Sequence, residues 1–374
     1  MKIAVFTGTR AEYGLMRKLI RNFETDKKFN LFLLVSSTHL EAEFGLSINE
    51  IKNDGINSQI LIPIEINTNK KKYMAIQTAS TIKLLSETLD EINPDYLVVL
   101  GDRFETFGAV ITAHIMGIKI IHLHGGETSL GAIDNKIRHA ISQLSTIHFT
   151  SAEIHKKKVF DIVGDAKNIH NVGPLVIDGI LNLEKISKKE FEKKTGFIYS
   201  NKNLLINFHT ETLSVDFGIS SLLNLLKELE NYDHNILFTS PNADAGSDQI
   251  KKTIDQFIKK NDKRSFYIPS LGQHLFLNSL ILFDCVLGNS SSGIIEAPLL
   301  NSKVLNIGNR QKGRFRFGSV YDVNGDRKSI SKALKEIFSD KDSDEFDLCK
   351  FKKLYKNNSP SNQIINILNK TTLN

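Results

Sequence analysis

Four residues with the means to move protons and hold anions follow two short apolar runs. Asp102 and Arg103 come just after Tyr96–Leu100, and His124 and Glu127 come just after Lys119–Leu123. Apolar runs of this length read as parallel strands buried on both faces. The segment between them, Glu105 to Met116, has the pattern and length of a crossover helix. Two neighbouring strand ends therefore deliver these side chains to one rim, where open α/β sheets bind their ligands. Carboxylates and an imidazole there suit general acid–base chemistry, and an arginine suits an anion. Asp134 opens a helix expected over Ile133 to Ser145, with Arg138 and Ser142 on its face. A surface ion pair of Asp134 with Arg138 is the plain alternative; the position just beyond the rim favours a catalytic Asp134.

Two turns could cradle a phosphate. Gly8 to Gly14 joins a strand at Ile3 to Thr7 to a helix running to about Glu24, and Arg10 could add a bidentate contact. Asn289 to Ser292 follows a strand at Asp284 to Leu287, and Ser290 to Gly293 is expected to open the helix that holds Glu296. No G-x-G-x-x-G is present, so the dinucleotide fingerprint fails.

These residues need two αβ lobes to hold them. At 374 residues the chain exceeds what one core usually supports. The first half adds strands at Asn30 to Ser36, near Ile60 to Ile64, at His148 to Thr150 and at Ile169 to Asn171, with helices at Tyr73 to Ile92 and Ala152 to Val163. Thr128 to Gly131 reads as a flexible loop, and Val172 to Leu175 as the hinge. In the second half strands at Leu204 to Phe208, Ile236 to Thr239, Phe266 to Ile268 and Val304 to Ile307 again end in polar residues, among them His209, Asn242 and Arg310. The expected lobes are 1–173 and 174–350, with 351–374 returning to the first lobe through a helix at Leu354 to Leu368. The class is α/β, two Rossmann-like domains facing a cleft.

Composition narrows the rest. Two cysteines, Cys285 and Cys349, are too few for a disulfide framework and fit a reducing cytosol. The first apolar run is too short for a signal peptide and no run reaches a membrane span. A net charge of +6 with Lys70–Lys72 and Lys156–Lys158 reads as solvated surface, not as a nucleic-acid footprint. His122, His124 and Glu127 do not make a convincing metal set, and His122 reads as a satisfied buried histidine. Asp178 and Glu153 look structural.

Taken in order, Gly-Thr-Arg-Ala-Glu-Tyr-Gly at 8–14, Gly-Asp-Arg-Phe-Glu at 101–105, His-Gly-Gly-Glu at 124–127, Ile-Arg-His-Ala-Ile at 137–141, Gly-Asn-Ser-Ser-Ser-Gly at 288–293 and Gly-Asn-Arg-Gln-Lys-Gly-Arg at 308–314 resemble the hydrolysing UDP-N-acetylglucosamine 2-epimerases of sialic and legionaminic acid synthesis. The resemblance spans nearly the whole chain. It implies the GT-B fold, a nucleotide sugar in the interdomain cleft, no metal or other cofactor, and a homodimer or homotetramer in the cytoplasm. It also implies conversion of UDP-GlcNAc and water to N-acetylmannosamine and UDP. UDP- or GDP-linked N,N′-diacetylbacillosamine is the alternative substrate, and a GT-B glycosyltransferase, a non-hydrolysing epimerase or a silent nucleotide-sugar sensor the rival activity.

By the same resemblance Asp102, Asp134 and His209 match catalytic positions. Where relatives have Glu-Gly-Gly-Glu this chain has His124, so His124 or Glu127 must supply that proton chemistry; Glu127, assisted by His124, is the expectation. Arg10, Arg103, Asn242, Ser290, Ser291 and Arg310 match nucleotide-sugar contacts, and Glu296 an acceptor for the ribose.

Overall fold

The computed structural model describes residues 1–318, 320–339, 346–355 and 358–371. Two parallel sheets account for its strands. The first comprises β1 (Lys2–Thr7), β2 (Asn30–Ser36), β3 (Gln59–Ile62), β4 (Tyr96–Leu100), β5 (Lys119–Leu123), β6 (Ile147–Thr150) and β7 (Ile169–Asn171). Their order is β3-β2-β1-β4-β5-β6-β7. The second comprises β8 (Asn203–Asn207), β9 (Asn235–Phe238), β10 (Ser265–Tyr267), β11 (Cys285–Gly288), β12 (Val304–Ile307) and β13 (Tyr321–Val323), ordered β10-β9-β8-β11-β12-β13.

Central strands are apolar at successive positions because helices cover both faces of each sheet. Val98 and Leu100 of β4 pack on one side with Tyr13, Leu19 and Phe23, while Leu97 and Val99 pack on the other with Leu85, Leu89 and Ala109. The second sheet is filled in the same way, Leu205 and Leu237 on one face and Leu204 and Ile206 on the other. Each strand order reverses direction once, between β1 and β4 and between β8 and β11. Those switch points are where α/β sheets open a crevice. Gly288 lets the second one form: its φ is +136° and a Cβ there would sit 2.1 Å from the Asn207 carbonyl oxygen.

The tail differs from expectation. In place of one helix over Leu354 to Leu368 there are two, Leu348–Tyr355 and Pro360–Thr371. Pro360 occupies the first helical position, where its missing N–H costs nothing, and it disfavours helix in the residue before it. Ile364, Ile365 and Leu368 then join the core beside Leu19. Asp178 fixes this return by accepting from the Ser359 hydroxyl and from the backbone and hydroxyl of Ser361, a structural role as expected. Within the expected lobes, residues 319, 340–345, 356–357 and 372–374 lie outside the described residues. β13 was not anticipated, because Tyr321–Val323 is a three-residue edge strand with no buried side chain.

Candidate active site

Two adjoining cavities lie between the switch points, of about 730 and 880 Å³ out to their open mouths. They share Ala11, Leu15, Val176, Asn242 and Glu296 in their linings. All twelve residues singled out in the sequence line one or both. Arg10, His209 and Ser290 face the first; Asp102, Arg103, His124, Glu127, Asp134, Ser291 and Arg310 face the second.

The carboxylates come from the first lobe. Arg138, buried, donates to Asp102 and, at 2.8 Å, to the His124 carbonyl. Its other nearby acid is Glu127, at 3.6 Å. The local Asp134–Arg138 pair considered from sequence is therefore replaced by a longer-range one, since the end of β4 lies closer to this arginine than its own helix's first turn. Among the described residues no cation pairs with Asp134, and burial, with Asp102 and Asp244 nearby, lifts its carboxyl to about 7.

Glu127 has both oxygens engaged. Oε1 accepts from the Ser151 hydroxyl at 2.8 Å and from His124 Nδ1 at 3.1 Å; Oε2 accepts from Arg314. Burial alone would raise this carboxyl, but Arg314, His124 and Arg138 hold it well below the ordinary carboxylate range. His124 stands at φ +60°, in the left-handed region uncommon for a residue other than glycine. The Leu175 backbone N–H donates to its Nε2 at 3.2 Å. A backbone amide can only donate, so the Nδ1–H tautomer follows and the Glu127 contact is a donated one. Behind it, His155 Nδ1 meets Ser151 at 2.9 Å. His122 is satisfied by the Gly101 carbonyl at 2.8 Å and Ser142 at 3.1 Å, and burial pushes it down to about 3. Among the described residues no group of three or more His, Cys, Asp or Glu side chains is placed to hold a metal.

The second lobe supplies the opposite wall. Arg310 is only 8% exposed and has no carboxylate partner among the described residues; it donates to the Asn289 carbonyl at 3.2 Å. His209 accepts the Asn242 backbone N–H on Nδ1 at 3.1 Å, which leaves Nε2 carrying the proton on the cavity side. Burial, then Arg310, Arg10 and Arg103, hold His209 far below its usual range, so it acts as a neutral donor. Asn289 fixes that geometry, its side chain accepting from the His209 N–H at 2.7 Å and donating to its carbonyl at 2.8 Å. Ser290 caps a 3₁₀ turn, Ser291–Gly293, by accepting from Ser292 N at 3.3 Å. The continuous helix expected from Ser290 through Glu296 is instead this turn and a separate four-residue helix, Glu296–Leu299. Elements so short carry little dipole, so the positive character of this wall rests on Arg310 and the neutral donors. Glu296, 9% exposed, leaves Oε2 without a hydrogen-bond partner.

Several cations bridge the lobes. Arg10 donates to the Pro269 and Ser240 carbonyls, the latter at 3.3 Å, and burial lowers it to about 10. Arg103 is bidentate on Glu105 at 3.0 and 3.1 Å and reaches Asp244 across the cleft at 3.2 Å. Arg314 crosses in the other direction to Glu127. Leu130 N donates to the Lys312 carbonyl at 3.0 Å and Ile133 N to Thr212 at 3.1 Å. The 128–131 loop, expected to be flexible, is thus engaged with the second lobe. Gly131 permits it, since a Cβ there would lie 2.2 Å from the Asn309 carbonyl oxygen. Arg138, Arg314, Asp244 and Asn289 were not singled out as site residues; all but Asp244 sit within the ordered motifs.

The family model described as UDP-N-acetylglucosamine 2-epimerase matches residues 21–369. The chain belongs to the UDP-N-acetylglucosamine 2-epimerase family. Among curated relatives, this chain is 33% identical to the GDP/UDP-N,N′-diacetylbacillosamine 2-epimerase (hydrolyzing) of Campylobacter jejuni over 92% of its length and 88% of that one. It is 35% identical to the polysialic acid biosynthesis protein P7 of Escherichia coli, over 89% and 85%. The UDP-N,N′-diacetylbacillosamine 2-epimerase (hydrolyzing) of Legionella pneumophila is 33% identical, over 90% and 89%. Among solved structures, the UDP-GlcNAc 2-epimerase of Neisseria meningitidis bound to UDP-GlcNAc superposes with a TM-score of 0.79 at 19% identity, covering 99% of this chain and 100% of that one. At that identity the likeness carries the fold: the α/β, GT-B-like arrangement of two parallel sheets.

Proposed function

We propose that this family member is a hydrolysing 2-epimerase that converts UDP-GlcNAc and water to N-acetylmannosamine and UDP. The observation that carries the reading is one cleft with three acids on its first-lobe wall facing, on the other, a buried Arg310 that has no carboxylate partner among the described residues. A buried cation without a carboxylate is costly unless a ligand anion completes it, and a diphosphate beside His209, Ser290 and Ser291 would do so. Asn242 would border both nucleotide and sugar, and the orphan Oε2 of Glu296 would accept from a ribose hydroxyl. Arg10 and Arg103 would close the lobes over the ligand through hinge 172–175. The lobes themselves would be 1–173 and 174–350, with the tail returning to the first.

The chemistry then needs a base at C2 and a cation at the leaving group. Loss of the C2 proton to a carboxylate with departure of UDP from C1 gives a glycal; water adds at C1 while a proton returns to the opposite face of C2. Asp134, with its carboxyl near 7, is suited to accept and return protons at neutral pH. Asp102, held on Arg138, would be its partner across the sugar. Ionised Glu127, with His124 Nδ1–H donating to it, would complete the acid set. Asp102→Asn and Glu127→Gln should each keep UDP binding and lose about 10²–10⁴-fold in turnover; full activity in both removes the assignment. Turnover is expected to continue in excess EDTA. A homodimer or homotetramer in the cytoplasm accompanies this reading; free Cys285 and Cys349 fit a reducing compartment.

The same chemistry on UDP- or GDP-linked N,N′-diacetylbacillosamine is the second reading, favoured by the names of the Campylobacter and Legionella relatives. Incubating the protein separately with each of the three donors, and identifying products by NMR, tests both. Free manno-configured sugar and nucleoside diphosphate are expected from one of them. A returned UDP-ManNAc, or turnover only when an acceptor is added, would contradict hydrolysis.

A further inference from the structure

Glu127 is served by both lobes at once. From the first lobe come His124, Arg138 and Ser151; from the second comes Arg314, which donates through Nη2 to Oε2. The remaining terminal nitrogen of Arg314 is turned to Gln311 Oε1 at 3.1 Å, and Gln311 in turn donates to the Asn289 carbonyl at 2.8 Å. Arg314 is therefore seated by the same asparagine that orients His209. Across from it, Arg138 lies between two acids but contacts them unequally, bonded to Asp102 and 3.6 Å from Glu127. The hinge is wired to the same cluster, because the Leu175 N–H sits on His124 Nε2.

Resting on the reading above, we infer that Arg314 is a positioning residue: by satisfying Glu127 from the second lobe it leaves Arg138 to hold Asp102, so the acid wall is set only when the lobes meet. Without Arg314 the Oε2 of Glu127 has one cation left to turn to, Arg138. Arg138 is then divided between two buried carboxylates, and Asp102 loses its fixed direction. A misplacement of about 1 Å at a reacting group costs about 10²-fold in rate. The opposing crossing pair, Arg103 with Asp244, lies at the other carboxylate cluster and cannot substitute, since Arg103 is already bidentate on Glu105.

The test compares wild type, Arg314→Met, Arg314→Ala, Glu127→Gln and the Glu127→Gln/Arg314→Met double variant, using the donor that wild type hydrolyses. Arg314→Met should lose about 10²-fold in kcat with KM changed less than about 3-fold. Added guanidinium ion should restore part of the Arg314→Ala rate, as a general loss of folding would not allow. The double variant should be no slower than the slower single, because both changes break one unit. A rise in KM at unchanged kcat would make Arg314 a substrate contact and overturn the inference, as would multiplying losses or no guanidinium rescue. Wild type failing to release sugar from any donor would sink the proposed function; wild-type turnover with an unimpaired Arg314→Met sinks this inference alone.

Discussion

Two strand-to-helix turns flank the cleft, and they differ in what already occupies them. In the first, Thr9 caps the sixteen-residue helix Arg10–Thr25 and Glu12 reaches back, its Oε2 accepting from Gly8 N at 2.7 Å and Thr9 N at 3.0 Å. This capping box consumes the amides that an anion would use. Burial lifts the Glu12 carboxyl to about 7, so a negative charge is close by at neutral pH and above. In the second turn Ser290 and Ser291 have no acid in the cap, and Arg310 stands near without a carboxylate partner among the described residues. The longer helix with the larger dipole is thus the one whose first amides are already taken. Whether a side chain of the chain itself fills the amides decides the matter ahead of helix length.

The difference can be erased from the second side. Ser292→Glu puts an acid into the second turn as well, and like-charge apposition of several kcal/mol should weaken UDP binding by about 10²–10³-fold by calorimetry. Arg310→Met removes the unpaired cation and should cost about 10–10²-fold in UDP affinity, with thermal stability of the unliganded protein kept or raised. Unchanged affinity in both variants would mean that the nucleotide lies elsewhere.

The first turn should answer in stability. Glu12→Ala removes the box and should lose about 0.5–2 kcal/mol by chemical denaturation, with UDP affinity held within about 2-fold. The last effect is in pH. Because Glu12 titrates at about 7 when folded and near 4.5 when unfolded, the folded chain holds a proton there that the unfolded chain has released. That contribution is whole below about pH 4.5 and is lost as pH rises through 7. Glu12→Gln should therefore flatten the fall in Tm over that interval, and an unaltered slope would show that Glu12 is not the group responsible.

Much of this was legible in the residues and some was not, for reasons of range. Strands β4 and β5 announce themselves as apolar runs ending in Gly101 and His124, and the switch-point rule then gathers Asp102, Glu127 and Asp134 without any contact being known. The Thr9-x-x-Glu12 box was equally readable. The partner of Arg138 was not legible because helical spacing reports only its neighbours on its own helix, whereas Asp102 reaches it from a strand end thirty-six residues away. Arg314 and Asp244 meet their partners 187 and 141 residues distant, a separation no local pattern encodes. The expected helix through Glu296 failed because Gly293 and the pair Ile294–Ile295 break it into a turn and a short helix.

The central claim is that carboxylates of the first lobe remove and return a proton at C2 while the second lobe takes the diphosphate. Turnover of the preferred donor in deuterated water, followed by NMR of the freed sugar, reads this directly. The account predicts one deuterium at C2 of a manno-configured sugar; a freed sugar that keeps protium at C2 and its original configuration would contradict it.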